Sequence, residues 1–512
     1  MRQFADLVIS ELSHSPEHPS TQTPITFMAK VKNIGNIASQ PCTMTFKIGG
    51  ETNPAVIDLP ALEPDETYTV RRREHLTVAQ HYRNTVRIDV NDEVPESREF
   101  NNEAVETYTV NQTSPARTND LDYGAYYGYQ AWHFTDTDGH SPAQWVHWFD
   151  DNIPNSDHIH GDFWPDMREY STLYDTQMKY RDGSPCRVYS CYDDLTVDVH
   201  VKWIKEYGLS GLFLQRHEKH MDDDNMREWK DWVTQAVKRA CFKYDVKFCM
   251  MPCNNDKQGR GHIMVENVIN DWMHLVDDLN ITQSPQYMYQ NGKPVIGFWG
   301  LGFENYPMTP EEATEILDFF QDAPEERYRV YVMGGVPHNW RTNPKAGWPP
   351  VFDRLDMISP WRTIFADPYD PQVIGRMIGD LSYCDQLGID YNPVISPGAS
   401  ASHMRSDPNL RNWKPRDGGN FIWQQAYEVC RRGSKFLYMA MFDEIDEGTA
   451  MYKLSRTADD CPVGADQVPL DIDGYNLPED WYLRVGREIQ KMFDGTIPLT
   501  QQLPLTPRHP FP

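Results

Sequence analysis

From Tyr123 to Phe442 the sequence returns eight times to a short, continuously apolar run. These are YGAYYGYQ (123–130), LSGLFLQ (209–215), VKFCMMP (246–252), PVIGFWG (294–300), YRVYVMG (328–334), LDMISPW (355–361), DYNPVISP (390–397) and FLYMAMF (436–442). A strand that is apolar without alternation is buried on both faces, and such strands occur almost only in parallel sheets covered by helices. The intervening stretches carry helical periodicity, as in VDVHVKWIKEYG (197–208), MREWKDWVTQAVKRACFKY (226–244), TPEEATEILDFFQD (309–322) and NFIWQQAYEVCRRG (420–433). The last of these opens after RDGG, a helix start signal. Eight strands joined this way predict a (β/α)8 TIM barrel over residues 123–495. RVYSCYD (187–193) reads as an excursion in the first crossover, because Tyr123–Asp193 is long for one strand–helix unit. Residues 496–512 form a Pro-rich tail.

Residues 1–112 follow a different period. ADLVIS, ITFMAKVKN, CTMTFKIGG, ETYTVRRR, NTVRIDVND and AVETYTV alternate apolar and polar positions, with turn signals about every ten residues. That is the pattern of an immunoglobulin-like β-sandwich. A polar, Pro-containing linker at 113–122 joins it to the barrel, so the expected fold class is multidomain. Asp89, Asp92, Glu93, Glu96 and Glu99 of the sandwich read as a solvated hairpin, with a calcium site as the alternative.

The net charge of −27 repels phosphate backbones and anionic membranes, which excludes nucleic acid as a partner. No apolar run is long enough to span a membrane. The nine cysteines include no CxxC pair, which argues against a zinc ribbon, and the pairing of Cys186 with Cys191 stays open. His158 and His160 are spaced to hold a metal on a strand, and Asp136 and Asp138 match part of a calcium loop. Both lack companion ligands, so no metal or cofactor is expected. With 15 Trp, 27 Tyr and 21 Phe, the chain is rich in rings on which sugars stack.

In a barrel of this kind the chemistry sits where strands end. The ends carry Trp132 and His133, Arg216 and His217, Asn254 and Asn255, Trp299, His338 and Trp340, Trp361 and Arg362. After the eighth run come four acids within five positions: Asp443, Glu444, Asp446 and Glu447. Glycoside hydrolysis needs two carboxyls flanking the bond. If the chain turns helically there, Glu444 and Glu447 share a face about 5–6 Å apart. Gly448 permits a sharp turn. A solvated acidic loop would give the same letters.

Two resemblances sharpen these expectations. VKNIG, LPALEPDETYTV and DVNDEVPESREFNNEA resemble the bacterial CARDB module, which implies a spacer or adhesion role in an exported protein. FDEIDEGTAMYK resembles the NEWHEGTQIEP-type signature of glycoside hydrolase family 99, whose members are (β/α)8 endo-α-mannosidases. YYGYQAWHF followed by WVHWF, DDLTVDVHVKWIKEYGLSGLFL, NGKPVIGFWG, and DYNPVISPG followed by NWKPRDGG resemble further segments of that family in order. The resemblance implies that Glu444 is a base on the sugar 2-hydroxyl, forming a 1,2-anhydro sugar, and that Glu447 is the general acid/base. The outcome is retention at an α-linkage in a polysaccharide or oligosaccharide cut internally. Trp132, His147, Trp148, Tyr192, Arg216, Trp299, Trp361, Arg362 and Asp443 are the candidate substrate-binding residues. Asp443 replaces the family's Asn, Ile445 its Trp, and Met251 the Glu of a Glu-Pro pair, so mannose is not implied. A glycan-binding barrel without catalysis and an exo-acting α-glycosidase of xylosidase or arabinosidase type are the alternatives. The expected location is secreted, periplasmic or cell-surface, with the oligomeric state left open.

Overall fold

The structure, a computed structural model, describes residues 4–19, 25–49, 51, 54–74, 76, 80–111, 119–140, 143–254 and 259–506. Most of the linker expected at 113–122, Asn255 and the end of the tail lie outside the described residues. The chain divides into two compact units, Met1–Ala116 and Arg117–Pro512.

The first unit holds seven strands: β1 (Leu7–Ser15), β2 (Ile25–Asn33), β3 (Cys42–Lys47), β4 (Ala55–Leu59), β5 (Thr67–Glu74), β6 (Gln80–Arg87) and β7 (Glu103–Val110). They form a three-stranded sheet, β1-β2-β5, and a four-stranded sheet, β4-β3-β6-β7, all antiparallel. Alternate residues of β2 and β3 are buried, and Phe27, Val31, Met44, Phe46, Val86 and Tyr108 share one core. The acids of the β6–β7 connection are not all solvated. Asp89 accepts the amides of Glu93 (2.7 Å) and Val94 (2.9 Å), and Glu96 accepts the Leu7 amide (2.8 Å) and Asn102 Nδ2 (2.6 Å). Both are buried, and burial pushes the Glu96 carboxyl up to about 7.

In the second unit β8 (Ala125–Tyr129) is followed by a hairpin, β9 (Tyr174–Lys179) and β10 (Pro185–Val188), which is the excursion read from RVYSCYD. Strands and helices then alternate: α1 (Asp194–Glu206), β11 (Gly211–His217), α2 (Asp224–Tyr244), β12 (Lys247–Cys253) and α3 (His262–Asp277). There follow β13 (Tyr289–Gln290), β14 (Lys293–Trp299), α4 (Pro310–Asp322), β15 (Tyr331–Val336), α5 (Pro349–Phe352), β16 (Met357–Pro360) and α6 (Pro371–Leu387). The unit closes with β17 (Asp390–Tyr391), β18 (Val394–Ile395), α7 (Ser402–Arg405), α8 (Asn420–Arg431), β19 (Leu437–Met439) and α9 (Trp481–Phe493). Local chemistry supports these bounds. Thr309 and Glu312 form a capping box on α4 with Pro310 in its first turn, and Gly388 ends α6 at φ 71°.

The parallel strands run in the order β17-β16-β15-β14-β12-β11-β8-β19-β18. Its two ends, β17 and β18, are pieces of one run of chain separated by Asn392 and Pro393. Proline has no amide to donate, which accounts for the break. Asn392 N donates to Ile358 O (2.8 Å) on one side, and Pro393 O accepts from Tyr438 N (3.2 Å) on the other. The sheet is thus curled in the manner of a TIM barrel. Every residue of β8, β11 and β15 is buried, as their unbroken apolar runs require. Of the tail, Leu503 is buried and Thr500 O accepts Trp423 Nε1 (3.2 Å). The described cysteines are free thiols, Cys186 and Cys191 included. No helix among the described residues is long and apolar enough to cross a membrane.

Candidate active site

Beyond β19 the chain does not continue as a helix. It folds into a turn at 445–448, in which Gly448 N donates to Ile445 O (3.3 Å) and Glu444 O accepts the amides of Thr449 (3.0 Å) and Ala450 (2.7 Å). Gly448 is required there. Its φ is +65°, and a Cβ would stand 2.6 Å from Ser400 N and 2.8 Å from Ser400 O. Ser400 N donates to Glu447 O (3.0 Å), which joins the turn to the loop after β18. That loop is anchored by the buried Asp162, which accepts the amides of Ser402 and His403 (both 2.8 Å) and His403 Nδ1 (2.6 Å).

Each acid of the turn has its own environment. Asp443 is fully buried, and its two oxygens accept the amides of Gln130 and Ala131, both at 2.8 Å, at the end of β8. Burial pushes its carboxyl up to about 7. Glu444 is buried too. Its Oε1 accepts the amides of Asp446 (2.9 Å) and Glu447 (3.2 Å), and its Oε2 accepts Gln130 Nε2 (3.3 Å). Burial, then the neighbouring charges of Asp446 and Glu447, raise its carboxyl well above the usual range. Asp446 Oδ2 accepts His147 Nδ1 at 2.7 Å. Burial would raise Asp446, but His147, then His160 and His133, outweigh it and hold the carboxyl low. Burial also lowers His147, and lowers His133 to about 3, so both rings are neutral near pH 7. These directions agree only if the contact is a neutral N–H donated to a carboxylate. Glu447 differs from the others: its side chain is 38% exposed, and Arg362 Nη2 reaches its Oε2 at 2.8 Å.

Two aromatic cavities adjoin residues that touch this turn. Trp132 stacks on His147, the partner of Asp446, with centroids 3.7 Å apart and planes 8° from parallel, beside a cavity of about 190 Å³ lined also by His217, Met226 and Trp229. Trp361, next to Arg362, lines a cavity of about 420 Å³ with Phe303, Tyr306, His338, Trp340 and Arg405. Tyr306 lies close enough to Glu447 for its hydroxyl to feel that charge after burial and Cys253. Trp299 packs edge-on against Trp361 at 5.7 Å, and Arg362 lies over Trp361. A larger cavity of about 710 Å³ is lined by Arg168, Arg181, Arg187 and Asp459, and shares no lining residue with either aromatic cavity.

The turn thus brings together Glu444, Glu447, Asp443, Arg362 and His147, with Trp132, Trp299 and Trp361 around it. Four candidate substrate-binding residues need correction. Trp148 is buried, donating Nε1 to Tyr189 O (2.9 Å) and packing on Trp164. Arg216 is buried in a clamp: Nε and Nη2 bond Asp271 at 2.7 Å each, and Nη2 bonds Asp231 at 2.6 Å. Tyr192 stacks on Trp232 of α2, so its ring serves helix packing. Asp443 also meets backbone rather than an open cleft. His160, read from its spacing with His158 as a metal candidate, instead joins His147 at Asp446. Other residues at the site were not singled out by the sequence. Gln130 holds Glu444. Lys230 is buried on α2, where burial and Arg216 lower its ammonium to about 8, and it lies near enough to Asp443 to lower that carboxyl. Lys230, Thr234 and Val237 fall on one helical face, so the period did carry a signal.

Residues 4–106 match the CARDB family model. No curated protein matches the chain in sequence. The fold is similar to that of solved GH99 endo-alpha-mannosidase from Bacteroides thetaiotaomicron. One structure, in complex with BIS-TRIS-propane, is 15% identical, with 73% of this chain and 98% of that chain covered and a TM-score of 0.53. A second is 13% identical with the same coverage and a TM-score of 0.54. At these identities the likeness establishes the fold.

Proposed function

We infer that the protein is a glycoside hydrolase cutting α-glycosidic bonds within a polysaccharide, and that its second unit works as a (β/α)8 barrel. The observation that carries this is the turn after β19, which holds one fixed and one accessible glutamate next to Arg362 and to His147, residues packed on Trp361 and Trp132. Glu444, gripped by two amides and Gln130, has the fixed geometry wanted of a base that takes the proton of the sugar 2-hydroxyl. The 2-oxygen then attacks the anomeric carbon as the glycosidic bond breaks, giving a 1,2-anhydro sugar. Glu447, in contact with solvent, donates a proton to the leaving oxygen. It then accepts one from the water that opens the anhydro ring at the anomeric carbon, while Glu444 returns its proton to the 2-oxygen. Two displacements give net retention. Arg362 restrains Glu447, and Trp132, His147, Trp299 and Trp361 are proposed to face sugar rings. The CARDB match supports an exported protein with the first unit as spacer.

The test is reducing-sugar release from a panel of α-mannans, α-glucans and plant or algal polysaccharides, with Glu444→Gln and Glu447→Gln beside the wild type. Release lost in both folded variants is expected. On an aryl glycoside with a good leaving group, Glu447→Gln should still give a burst of aglycone while Glu444→Gln gives none. Release that survives both substitutions would move the chemistry away from this turn.

A further inference from the structure

The loops after β8 and the acid turn bring three ligand atoms together, from His147, His160 and Asp446, all within 4.8 Å of one another, with His133 beside them. His147 Nδ1 lies 2.7 Å from Asp446 Oδ2, His160 Nε2 lies 3.7 Å from the same oxygen, and His133 Nε2 lies 4.0 Å from Asp446 Oδ1. Asp446 and His133 are buried. Neither Asp446 Oδ1 nor either ring nitrogen of His133 has a hydrogen-bond partner in the structure. His160 is oriented from behind, because its Nδ1 bonds the Asp150 carboxylate at 2.8 Å. A carboxylate only accepts, so the proton sits on Nδ1 and the Nε2 lone pair is turned toward Asp446. Carboxylates placed this way behind a histidine recur behind metal ligands.

The His160 lone pair turned toward the Asp446 carboxylate, whose Oδ1 has no hydrogen-bond partner, calls for something positive between them. Around an ion with bonds of about 2.0–2.1 Å, tetrahedral ligand atoms lie about 3.4 Å apart. His147 Nδ1 and His160 Nε2 lie 2.7 and 3.7 Å from Asp446 Oδ2, on either side of that spacing. Two imidazoles and one carboxylate suit a first-row divalent ion, whereas calcium and magnesium take oxygen ligands.

We propose that His147, His160 and Asp446 bind a divalent first-row cation, zinc fitting best. On binding, His147 gives up its Nδ1 proton, which reappears on Nε2, and Nδ1 coordinates. Three protein ligands leave the fourth position to water. The ion pins the loops that carry His147 and His160 to the turn that carries Glu444, and no step of the sugar chemistry passes through it. Among the described residues the other clustered group, Asp89, Asp92 and Glu99, lies in the first unit and offers only carboxylates.

The test is calorimetric titration of ZnCl2 into the full chain after chelator treatment and dialysis, followed by thermal melts with and without zinc. One tight equivalent is expected, with a higher melting temperature. His160→Gln and Asp446→Asn should abolish that equivalent and the rise in melting temperature. Asp150→Asn, at a half-exposed position that leaves the three ligands in place, should weaken binding about 10–100-fold. No zinc uptake by the wild type, or uptake unchanged in His160→Gln and Asp150→Asn, would overturn the proposal. These readouts do not depend on glycosidase activity.

Discussion

Asp443 gives the sharpest test of how the acid turn is held. Its carboxyl is fully buried and is displaced from 3.8 to about 7. A shift of about 3 units corresponds to about 4 kcal/mol in favour of the protonated form. Because the folded value is raised, the stability this residue contributes is complete below about pH 4 and is lost as pH climbs to about 7. Between about pH 5 and about pH 8 the wild type should therefore lose about 3 kcal/mol through this group. Asp443→Asn does not titrate. It also presents its amide nitrogen to one of the two backbone donors, Gln130 N or Ala131 N, at a cost of about 1–3 kcal/mol. The variant should be the less stable protein at low pH, and the gap should close or reverse toward pH 8. All 15 tryptophans lie at or beyond Trp132, so tryptophan fluorescence in a urea titration follows the second unit without a contribution from the first. Both chains should carry Glu444→Gln, so that the adjacent titration does not contribute. A gap that is constant in pH, or that widens as pH rises, would refute the reasoning.

Gly448→Ala must put a Cβ 2.6 Å from Ser400 N at a φ of +65°, and should cost roughly 2–4 kcal/mol of second-unit stability with a drop in kcat, read by the same fluorescence and by rate assays. Asp162→Asn should cost about 3 kcal/mol at neutral pH, since several bonds converge on a buried carboxylate. Burial alone would raise Asp162, but the bonds from His403 and the two serines hold it low, so its contribution is present above pH 4 and fades on acidification. The gap from wild type should narrow in acid denaturation. Arg216→Lys breaks a two-point bond to Asp271 and should lower stability by about 3–5 kcal/mol while the KM of the folded fraction stays put. A raised KM with intact stability would return Arg216 to the cleft.

The eight apolar runs were legible because strands buried on both faces must be apolar throughout, and even the run broken by Asn392 and Pro393 announced itself through its flanks. The sandwich was legible for the opposite reason, its strict alternation. The acid turn was legible as a cluster placed after the last strand. What a linear reading cannot supply is the direction of a side chain. Trp148 and Arg216 follow barrel strands just as Trp132 and Arg362 do, yet they point into packing formed by Trp164 and by Asp231 and Asp271. The grouping of His133, His147 and His160 at Asp446 was hidden similarly, since His158 seemed the natural companion of His160 and instead meets Asn155.

The bond between Asp443 and the end of β8 also sets a clock on synthesis. The residues it joins are 313 apart, and β19 pairs with β8 directly. At about 5–20 residues per second, roughly 15–60 s separate the emergence of the first parallel strand from that of the strand it must lie beside. For that interval AYYGY, every residue of which is buried in the finished protein, waits with one flank uncovered. The acid turn is among the last parts to arrive, so a nascent chain carries a strand made for burial on both faces well before it can carry the proposed activity.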